Sequence, residues 1–338
     1  MTSTITAPPP TRATDYTRAC TEQVLLPLAD NYFRAELHGD LSVLAEVGRR
    51  PVIFIGNHAG ASLSWDNIVF DALLWRAAAA AGYPTKLQRL VHTTLYQDKV
   101  TPFLLPRWWE AMQCHEATMP DFDRLCADKA AIFISPEGVS GLAKGHHRAD
   151  ELLPFSSSFV HMAKRHGALV VPVTVSNSAY LNPFTRTVGW INRLARRLFG
   201  LPFLPLGPTL PMILLPRNFI GAMPAQLRYR VHAPIDFSDR GADDIAINRD
   251  QAEQLRVYME REVTRGNDPA AVAMPIARAW RTRWNAPGAN PFQYYRTFWE
   301  HRLGRPLTRG ERVAFSTPVL GYPMIRRRIQ RGSLRCAG

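Results

Sequence analysis

A histidine and a carboxylate are spaced in this sequence so that they could act as an acid–base pair. His58 follows an apolar run that ends at Gly56, and Asp66 comes eight positions after it. An imidazole whose Nδ1 donates to a carboxylate keeps Nε2 free as a general base. The pair corresponds to the base and the orienting acid of a catalytic triad, without the nucleophilic residue. A substrate would then supply the hydroxyl that the histidine activates. The alternative is a loop histidine with one backbone hydrogen bond, beside an aspartate that caps the next helix.

A second group of polar residues follows another apolar run. Glu137 comes three positions after Ile134, beside Gly138, whose missing side chain lets a ligand approach the backbone closely. Glu137 could bond substrate hydroxyls, and Lys144 and Arg148 supply positive charge nearby. The alternative is a solvated polar loop with a basic flank.

The elements that must position these two loops alternate between short apolar strands and helices. Strands are predicted at 51–56, 130–134, 168–175 and 227–231. Helices are predicted at 66–81, 155–166 and 250–265. This alternation predicts an α/β fold with a mostly parallel central sheet covered by helices. Sites in such sheets gather at the strand ends, which directs attention to the loops that carry His58 and Glu137.

The rest of the chain is predicted to flank this domain. Residues 1–20 are expected to form a flexible tail, 21–240 the α/β domain, and 241–338 a helical or irregular basic extension rich in aromatic residues. Two helices, at 22–37 and 41–47, are expected to begin the domain as a helical N-terminal segment.

Composition excludes several classes of protein. The chain has 338 residues, with 41 Lys and Arg against 28 Asp and Glu, a net charge of +13, and 46% hydrophobic residues. That length and hydrophobic content exclude a small domain held together by disulfides or metals, and a chain that is disordered overall. The four cysteines form no C-x-x-C pair and have no metal-ligand spacing, so we expect reduced thiols and no metal site.

The basic excess suits an anionic partner. Arg193, Arg196, Arg197 and the run 325–331 predict a peripheral protein attracted to an anionic membrane surface, on the cytoplasmic face. Nucleic acid is disfavoured because zinc-finger spacing, a ribonucleoprotein aromatic motif and leucine heptads are all lacking. The apolar segment 198–219 contains five prolines, so it cannot span a bilayer. It packs as a loop, lines a groove or dips into a membrane face.

Taken in order along the chain, these motifs resemble the glycerolipid acyltransferase family. The residues that carry the resemblance are Asn57-His58, Asp66, Pro136-Glu137-Gly138, Leu153-Pro154-Phe155 and Val170-Val171-Pro172-Val173, all within residues 51–175. The resemblance implies transfer of a fatty acyl group from acyl-CoA or an acyl-carrier protein to a lipid hydroxyl, without a cofactor, a metal or a protein nucleophile. It also implies that His58 is the general base and that Asp66 orients it.

The same resemblance assigns residues to the acceptor. It implies that Asn57, Glu137 and Gly138 hold the acceptor, with Lys144 and Arg148 as further contacts.

Two departures from the family's pattern bear on this assignment. The commonest form has four residues between the histidine and the acid, whereas here seven separate His58 from Asp66. Val139 and Ser140 stand where the family often has Thr-Arg, whose arginine binds a phosphate. We therefore expect an acceptor that is not necessarily a phosphomonoester, such as a diacylglycerol or a long-chain alcohol. A thioesterase-like hydrolase and an inactive lipid-binding protein of the membrane surface remain the alternatives.

Overall fold

A mostly parallel sheet of eight strands lies at the centre of the described structure. Its strands in chain order are β1 (Glu36–Gly39), β2 (Val52–Gly56), β3 (Gln88–Val91), β4 (Cys114–Glu116), β5 (Ala131–Ile134), β6 (Leu169–Ser176), β7 (Arg228–Val231) and β8 (Ile235–Asp236). Across the sheet the order is β1-β7-β6-β2-β5-β3-β4, and β8 pairs with β6. The pairings of β6 with β7 and with β8 are antiparallel, and the other pairings of these strands are parallel. The predicted α/β fold with a mostly parallel sheet is confirmed.

The sheet belongs to a computed structural model of the chain. It describes residues 14–58, 64–83, 86–96, 107–199, 206–207, 222–238, 241, 243–272 and 291–316. All four predicted strands are present, and each begins one residue later than predicted.

Helices lie on both faces of the sheet. The α-helices are α1 (Asp15–Cys20), α2 (Trp65–Ala80), α3 (Thr93–Tyr96), α4 (Trp108–Ala111), α5 (Met119–Ala127), α6 (Gly138–Leu142), α7 (Ser158–His166), α8 (Gly189–Phe199), α9 (Ile245–Gly266), α10 (Pro269–Val272), α11 (Pro291–Leu303) and α12 (Arg309–Ser316). Three of them, α2, α7 and α9, correspond to the three helices predicted after the first strand. Gly167 ends α7 with φ 61°, a left-handed conformation that its missing Cβ permits.

Two hydrophobic clusters pack on opposite faces of the sheet. Along β2, Phe54 belongs to one cluster, and Ile53 and Ile55 belong to the other. Successive side chains of a strand point to opposite faces, which accounts for this division. Residues of α2 cover the first face, and residues of α7 and α9 cover the second. Burial on both faces explains why the central strands read as continuous apolar runs.

The described parts of the predicted tail and of the predicted extension pack against this core. Within the expected flexible tail, Cys20 is buried, and Thr17 Oγ1 donates to the carbonyl of Ala111 over 3.1 Å. Within the expected extension, Met259 of α9 and Trp299 of α11 are fully buried in the two clusters. The described parts of both flanks therefore belong to the same packed unit as the sheet.

The predicted helix over 22–37 is wrong over its last five residues, 33–37. The backbone passes through two π-helical segments, Thr21–Leu25 and Leu28–Tyr32, and then enters β1. The second predicted helix, over 41–47, is the shorter 3-10 helix Ser42–Glu46.

Three of the four cysteines lie in the described structure as buried free thiols. Burial raises the pKa of Cys20 and of Cys126 to about 12 and the pKa of Cys114 to about 11. A buried neutral thiol is a poor nucleophile, so these cysteines act as small packing residues. Cys336 lies outside the described residues.

The segments expected to contact a membrane are described only in part. The basic run 325–331 and most of 198–219 lie outside the described residues. Among the helices that are described, none has both the length and the hydropathy needed to cross a bilayer.

Candidate active site

The two loops predicted to carry the chemistry meet at one edge of the sheet. β2 and β5 are parallel neighbours, with Ile55 opposite Ile134, so the residues that follow each strand emerge side by side. The backbone N–H of His58 donates to Oε1 of Glu137 over 3.0 Å, although the two residues are 79 positions apart. The sheet topology therefore assembles one site from both loops.

His58 and Asp66 form a buried pair. His58 Nδ1 lies 3.4 Å from Asp66 Oδ2, and both side chains are almost fully shielded from solvent. Asp66 is the second residue of α2, so the helix fixes the direction of its carboxylate. The Tyr229 hydroxyl donates to the backbone carbonyl of Asp66 over 2.6 Å, which ties α2 to β7. Desolvation, and then the charge of Asp66, raise the pKa of Tyr229 well above its usual value, so the phenol stays a neutral donor.

Asn67, which the sequence analysis did not single out, also contacts the His58 ring. Its amide nitrogen lies 3.0 Å from His58 Nδ1 and 3.4 Å from His58 Nε2, and it donates to Ser135 Oγ over 2.9 Å. Nδ1 therefore has two polar neighbours, and the position of the ring proton decides which of them it bonds. A proton on Nδ1 is donated to Asp66 and leaves Nε2 as the base. A proton on Nε2 instead makes Nδ1 the acceptor of the Asn67 amide.

A buried ion pair lies beside the histidine. Lys144 Nζ is 2.7 Å from Glu137 Oε2, and both side chains are almost completely inaccessible to solvent. The ammonium also donates to the carbonyl of His58 over 2.8 Å and to the carbonyl of Glu151 over 2.6 Å. Glu137 Oε2 accepts a further hydrogen bond from the Leu153 N–H over 2.9 Å. Both buried charges are thus paired and hydrogen-bonded, which is what makes their burial tolerable.

The ion pair holds the backbone of His58 from both sides. Glu137 accepts from its N–H, and Lys144 donates to its C=O. Both residues were predicted to contact the acceptor. Their side chains instead bond within the protein, because each is the counter-ion that keeps the other buried.

The other residues predicted to bind the acceptor occupy three different positions. Asn57 bonds the backbone of Val175 in both directions, accepting from its N–H over 2.9 Å and donating to its C=O over 3.2 Å. Arg148 is half exposed, and its Nε lies 2.6 Å from Oε2 of Glu151. Gly138, with φ 59°, is the first residue of α6 and lines the cavity described next.

A cavity of about 280 Å³ adjoins His58 at the carboxyl ends of β2, β5 and β3. Apolar side chains and four serine residues, Ser64, Ser135, Ser156 and Ser158, contribute to its lining. Among the described residues that line it there is no carboxylate, and Arg89 is the side chain with a formal charge. Two larger cavities, of about 410 and 780 Å³, are lined by other residues and lack His58. Of these three cavities, the smallest is the one that His58 lines.

Arg89 is a buried cation that the sequence analysis missed. It lies on β3, with its guanidinium 4.9 Å from the centre of the Phe133 ring, and it donates to the backbone carbonyl of Asn67. The nearest described carboxylate, Asp71, is 3.9 Å away and is already paired with Lys86 at 2.7 Å. Two cations thus share the Asp71 carboxylate, and Arg89 is the one of the two that lines the cavity.

Removing one partner of the buried ion pair should lower the stability of the protein. Lys144→Met leaves the Glu137 carboxylate buried without its counter-ion, so we expect the free energy of unfolding to fall by about 3–5 kcal/mol. The double variant Glu137→Gln/Lys144→Met removes both charges and should recover much of that loss. Urea unfolding of the single and double variants measures the coupling.

Arg148→Met is the matched control for this cycle. It breaks an exposed pair with Glu151 and should cost less than about 1 kcal/mol. A loss for Lys144→Met as small as that of the control would mean that the buried pair does not hold this loop.

Comparisons with known proteins give relatives without assigned activities. No family model matches the chain. Uncharacterised proteins of Mycobacterium bovis and Mycobacterium tuberculosis are 26% identical to it over 253 residues, which cover 72% of this chain and 65% of the relatives. An uncharacterised protein of Mycobacterium leprae is 25% identical over 241 residues, covering 70% of this chain and 60% of that protein. The chain therefore spans less than two thirds of the length of these relatives.

A solved structure aligns with part of the chain. The crystal structure of the 1-acyl-sn-glycerophosphate (LPA) acyltransferase PlsC from Thermotoga maritima aligns with 71% of this chain and 79% of that chain. The TM-score is 0.40, with 12% sequence identity. This similarity is too low to support a reaction for this chain. The chemical interpretation of the site rests on its geometry.

Proposed function

We propose that this protein is an acyltransferase that moves a fatty acyl group from an acyl-CoA or acyl-carrier-protein thioester to a lipid hydroxyl. The observation that carries the proposal is the position of His58, whose ring lies between the Asp66 carboxylate and a cavity. The order of the motifs along the chain, which resembles that of glycerolipid acyltransferases, supports the same reaction.

The reaction needs one base and two proton transfers. His58 Nε2 removes the proton of the acceptor hydroxyl as its oxygen attacks the thioester carbonyl. The new C–O bond gives an ester, and the C–S bond breaks to release the thiol, which takes its proton from the imidazolium. Asp66 stabilises the imidazolium through Nδ1 and holds the ring in its orientation. The acyl group passes directly from donor to acceptor, so no nucleophile of the protein is needed.

Glu137 and Lys144 act in this proposal as positioning residues. They bond the N–H and the C=O of His58, and so they fix the backbone from which the base projects. Precise placement of a base matters because small displacements from the reactive geometry cost large factors in rate. In this proposal, Gly138 and the serine hydroxyls that line the cavity contact the acceptor directly.

The role of His58 can be tested by thiol release from an acyl-CoA in the presence of a lipid alcohol. His58→Ala should lower kcat by about a hundredfold to ten-thousandfold, the usual contribution of a positioned general base. Asp66→Asn should also lower kcat, because Nδ1 loses its charged acceptor. His92→Ala is the matched control, since His92 is a second histidine on the same cavity with no assigned role.

Three outcomes would overturn the assignment in different ways. Full turnover by His58→Ala would remove the histidine from the base role. Thiol release at the same rate with and without the alcohol would indicate a hydrolase that uses water. A wild-type protein that binds lipid and releases no thiol from any donor would indicate an inactive lipid-binding protein.

The charge of the cavity supports a substrate with an anionic group near the reacting atoms. Arg89 supplies a buried guanidinium there, and a guanidinium binds phosphate or carboxylate through charge-assisted hydrogen bonds. Both substrates could provide the anion, since CoA and carrier-protein donors carry phosphate and some lipid acceptors do as well. This charge favours an anionic group even though Val139 and Ser140 replace the family's usual phosphate-binding pair.

Substitution of Arg89 should distinguish the two sources of the anion. Arg89→Met is expected to raise KM for the anionic substrate by about tenfold, the equivalent of roughly 1.4 kcal/mol of binding. One series varies the acceptor from lysophosphatidate to diacylglycerol at saturating donor. The other compares acyl-CoA with an acyl-pantetheine that lacks the phosphates.

Arg148→Met serves as the control for the Arg89 series, because Arg148 is a half-exposed arginine outside the lining of the cavity. An unchanged KM for every substrate of the Arg89→Met variant would show that this arginine only supports the fold.

A further inference from the structure

An exposed surface around α8 combines apolar and basic side chains. Phe184 is 77% exposed, Trp190 62% and Leu194 48%, although each is a large hydrophobic residue. Arg193 and Arg197 on the same helix are also exposed. We call these five residues the docking surface.

The helical repeat places the members of α8 in two neighbouring rows. Trp190 and Leu194 are four residues apart, as are Arg193 and Arg197, so each pair stacks on one stripe of the helix. Ile191, one residue beyond Trp190, is half-buried and marks the side of the helix that faces the protein. The exposed side therefore presents an apolar row and a basic row together.

The basic row is not neutralised by the described part of the protein. Neither Arg193 nor Arg197 forms an ion pair there, whereas four arginines on other helices pair with carboxylates three residues away. Such pairs are Arg18 with Asp15, Arg124 with Asp121, Arg256 with Glu253 and Arg265 with Glu262. Within the described part of the chain, the positive charge of the docking surface is thus not compensated.

The docking surface is tied to the wall of the candidate active site. The backbone N–H of His146 donates to the carbonyl of Thr185 over 2.8 Å, and Thr187 Oγ1 donates to the carbonyl of Ala143 over 3.2 Å. The Phe184 and His146 rings are also in contact, with centroids 6.0 Å apart. The segment 143–146 directly follows α6, which lines the cavity beside His58.

We propose that the docking surface binds an anionic lipid bilayer and holds the cavity next to it. Trp190, Leu194 and Phe184 enter the interfacial layer of the bilayer, where aromatic and apolar side chains are both accommodated. Arg193 and Arg197 bind lipid phosphates, which complements the net charge of +13 on the chain. Binding to the bilayer is independent of the reaction, and only delivery of the lipid substrate rests on the proposed acyl transfer.

Vesicle co-sedimentation tests the docking surface. The full chain should bind phosphatidylcholine–phosphatidylglycerol vesicles, bind pure phosphatidylcholine vesicles weakly, and lose affinity as salt is added. Arg193→Gln/Arg197→Gln should lower the association constant by about thirtyfold, at about 1 kcal/mol for each basic residue. Trp190→Ser/Leu194→Ser should lower it by at least about tenfold through the lost apolar burial.

Ile245→Ser/Val313→Ser is the matched control. These two residues are 69% and 65% exposed on α9 and α12, so their replacement removes similar apolar surface elsewhere. The control should bind vesicles like the wild type. Equal binding by all variants, or an equal loss in the control, would overturn the docking surface.

Two further readouts separate this proposal from its competitors. If Trp190→Ser/Leu194→Ser abolishes a dimer seen by light scattering and leaves vesicle binding intact, the surface is a contact between copies of this chain. Turnover of a water-soluble acceptor should be unchanged in the docking-surface variants, while turnover of a vesicle-embedded acceptor falls. A wild-type protein that binds vesicles normally and transfers no acyl group would refute the proposed reaction and leave the docking surface standing.

Discussion

The buried ion pair between Glu137 and Lys144 is the interaction on which the site depends. Both partners bond the backbone of His58, one at its N–H and the other at its C=O. Both partners lie in the segment after β5, and their hydrogen bonds to His58 join this segment to the loop after β2. Since neither charge is solvated, removing one partner alone leaves the other buried without a counter-ion. The position of the imidazole is thereby fixed by electrostatics rather than by packing alone.

The apolar skeleton of the fold could be predicted from the sequence, because burial on both faces gives the central strands continuous hydrophobic runs. Hydrophobic runs did not predict the strands in which polar residues are buried. Strand β3 contains Gln88 and Arg89, so it has no such run, and the buried arginine on the cavity wall was missed with it. The helix predicted over 22–37 failed because its last residues pair with β7, a contact that periodicity within a segment does not reveal.

The contact between His58 and Asp66 could also be predicted, since His58 follows a strand and Asp66 lies in the first turn of the next helix. The roles of Glu137 and Lys144 could not. Spacing showed a carboxylate and an ammonium near a candidate site, but only the fold shows that they neutralise each other. The contact of Asn67 with the His58 ring could not be predicted either, because the sequence gives only its position next to Asp66. Contacts between side chains distant in sequence decide whether a polar residue faces a ligand or the protein.

The central claim is that His58 presents an unprotonated Nε2 to the cavity while Nδ1 donates to Asp66. Long-range 1H–15N spectra of the protein labelled with 15N-histidine test it most directly, with a His58→Gln sample to assign the signals. At a pH where the ring is neutral, we predict the tautomer that carries its proton on Nδ1. A neutral ring with its proton on Nε2, and Nδ1 accepting from Asn67, would contradict the assignment of His58 as the base.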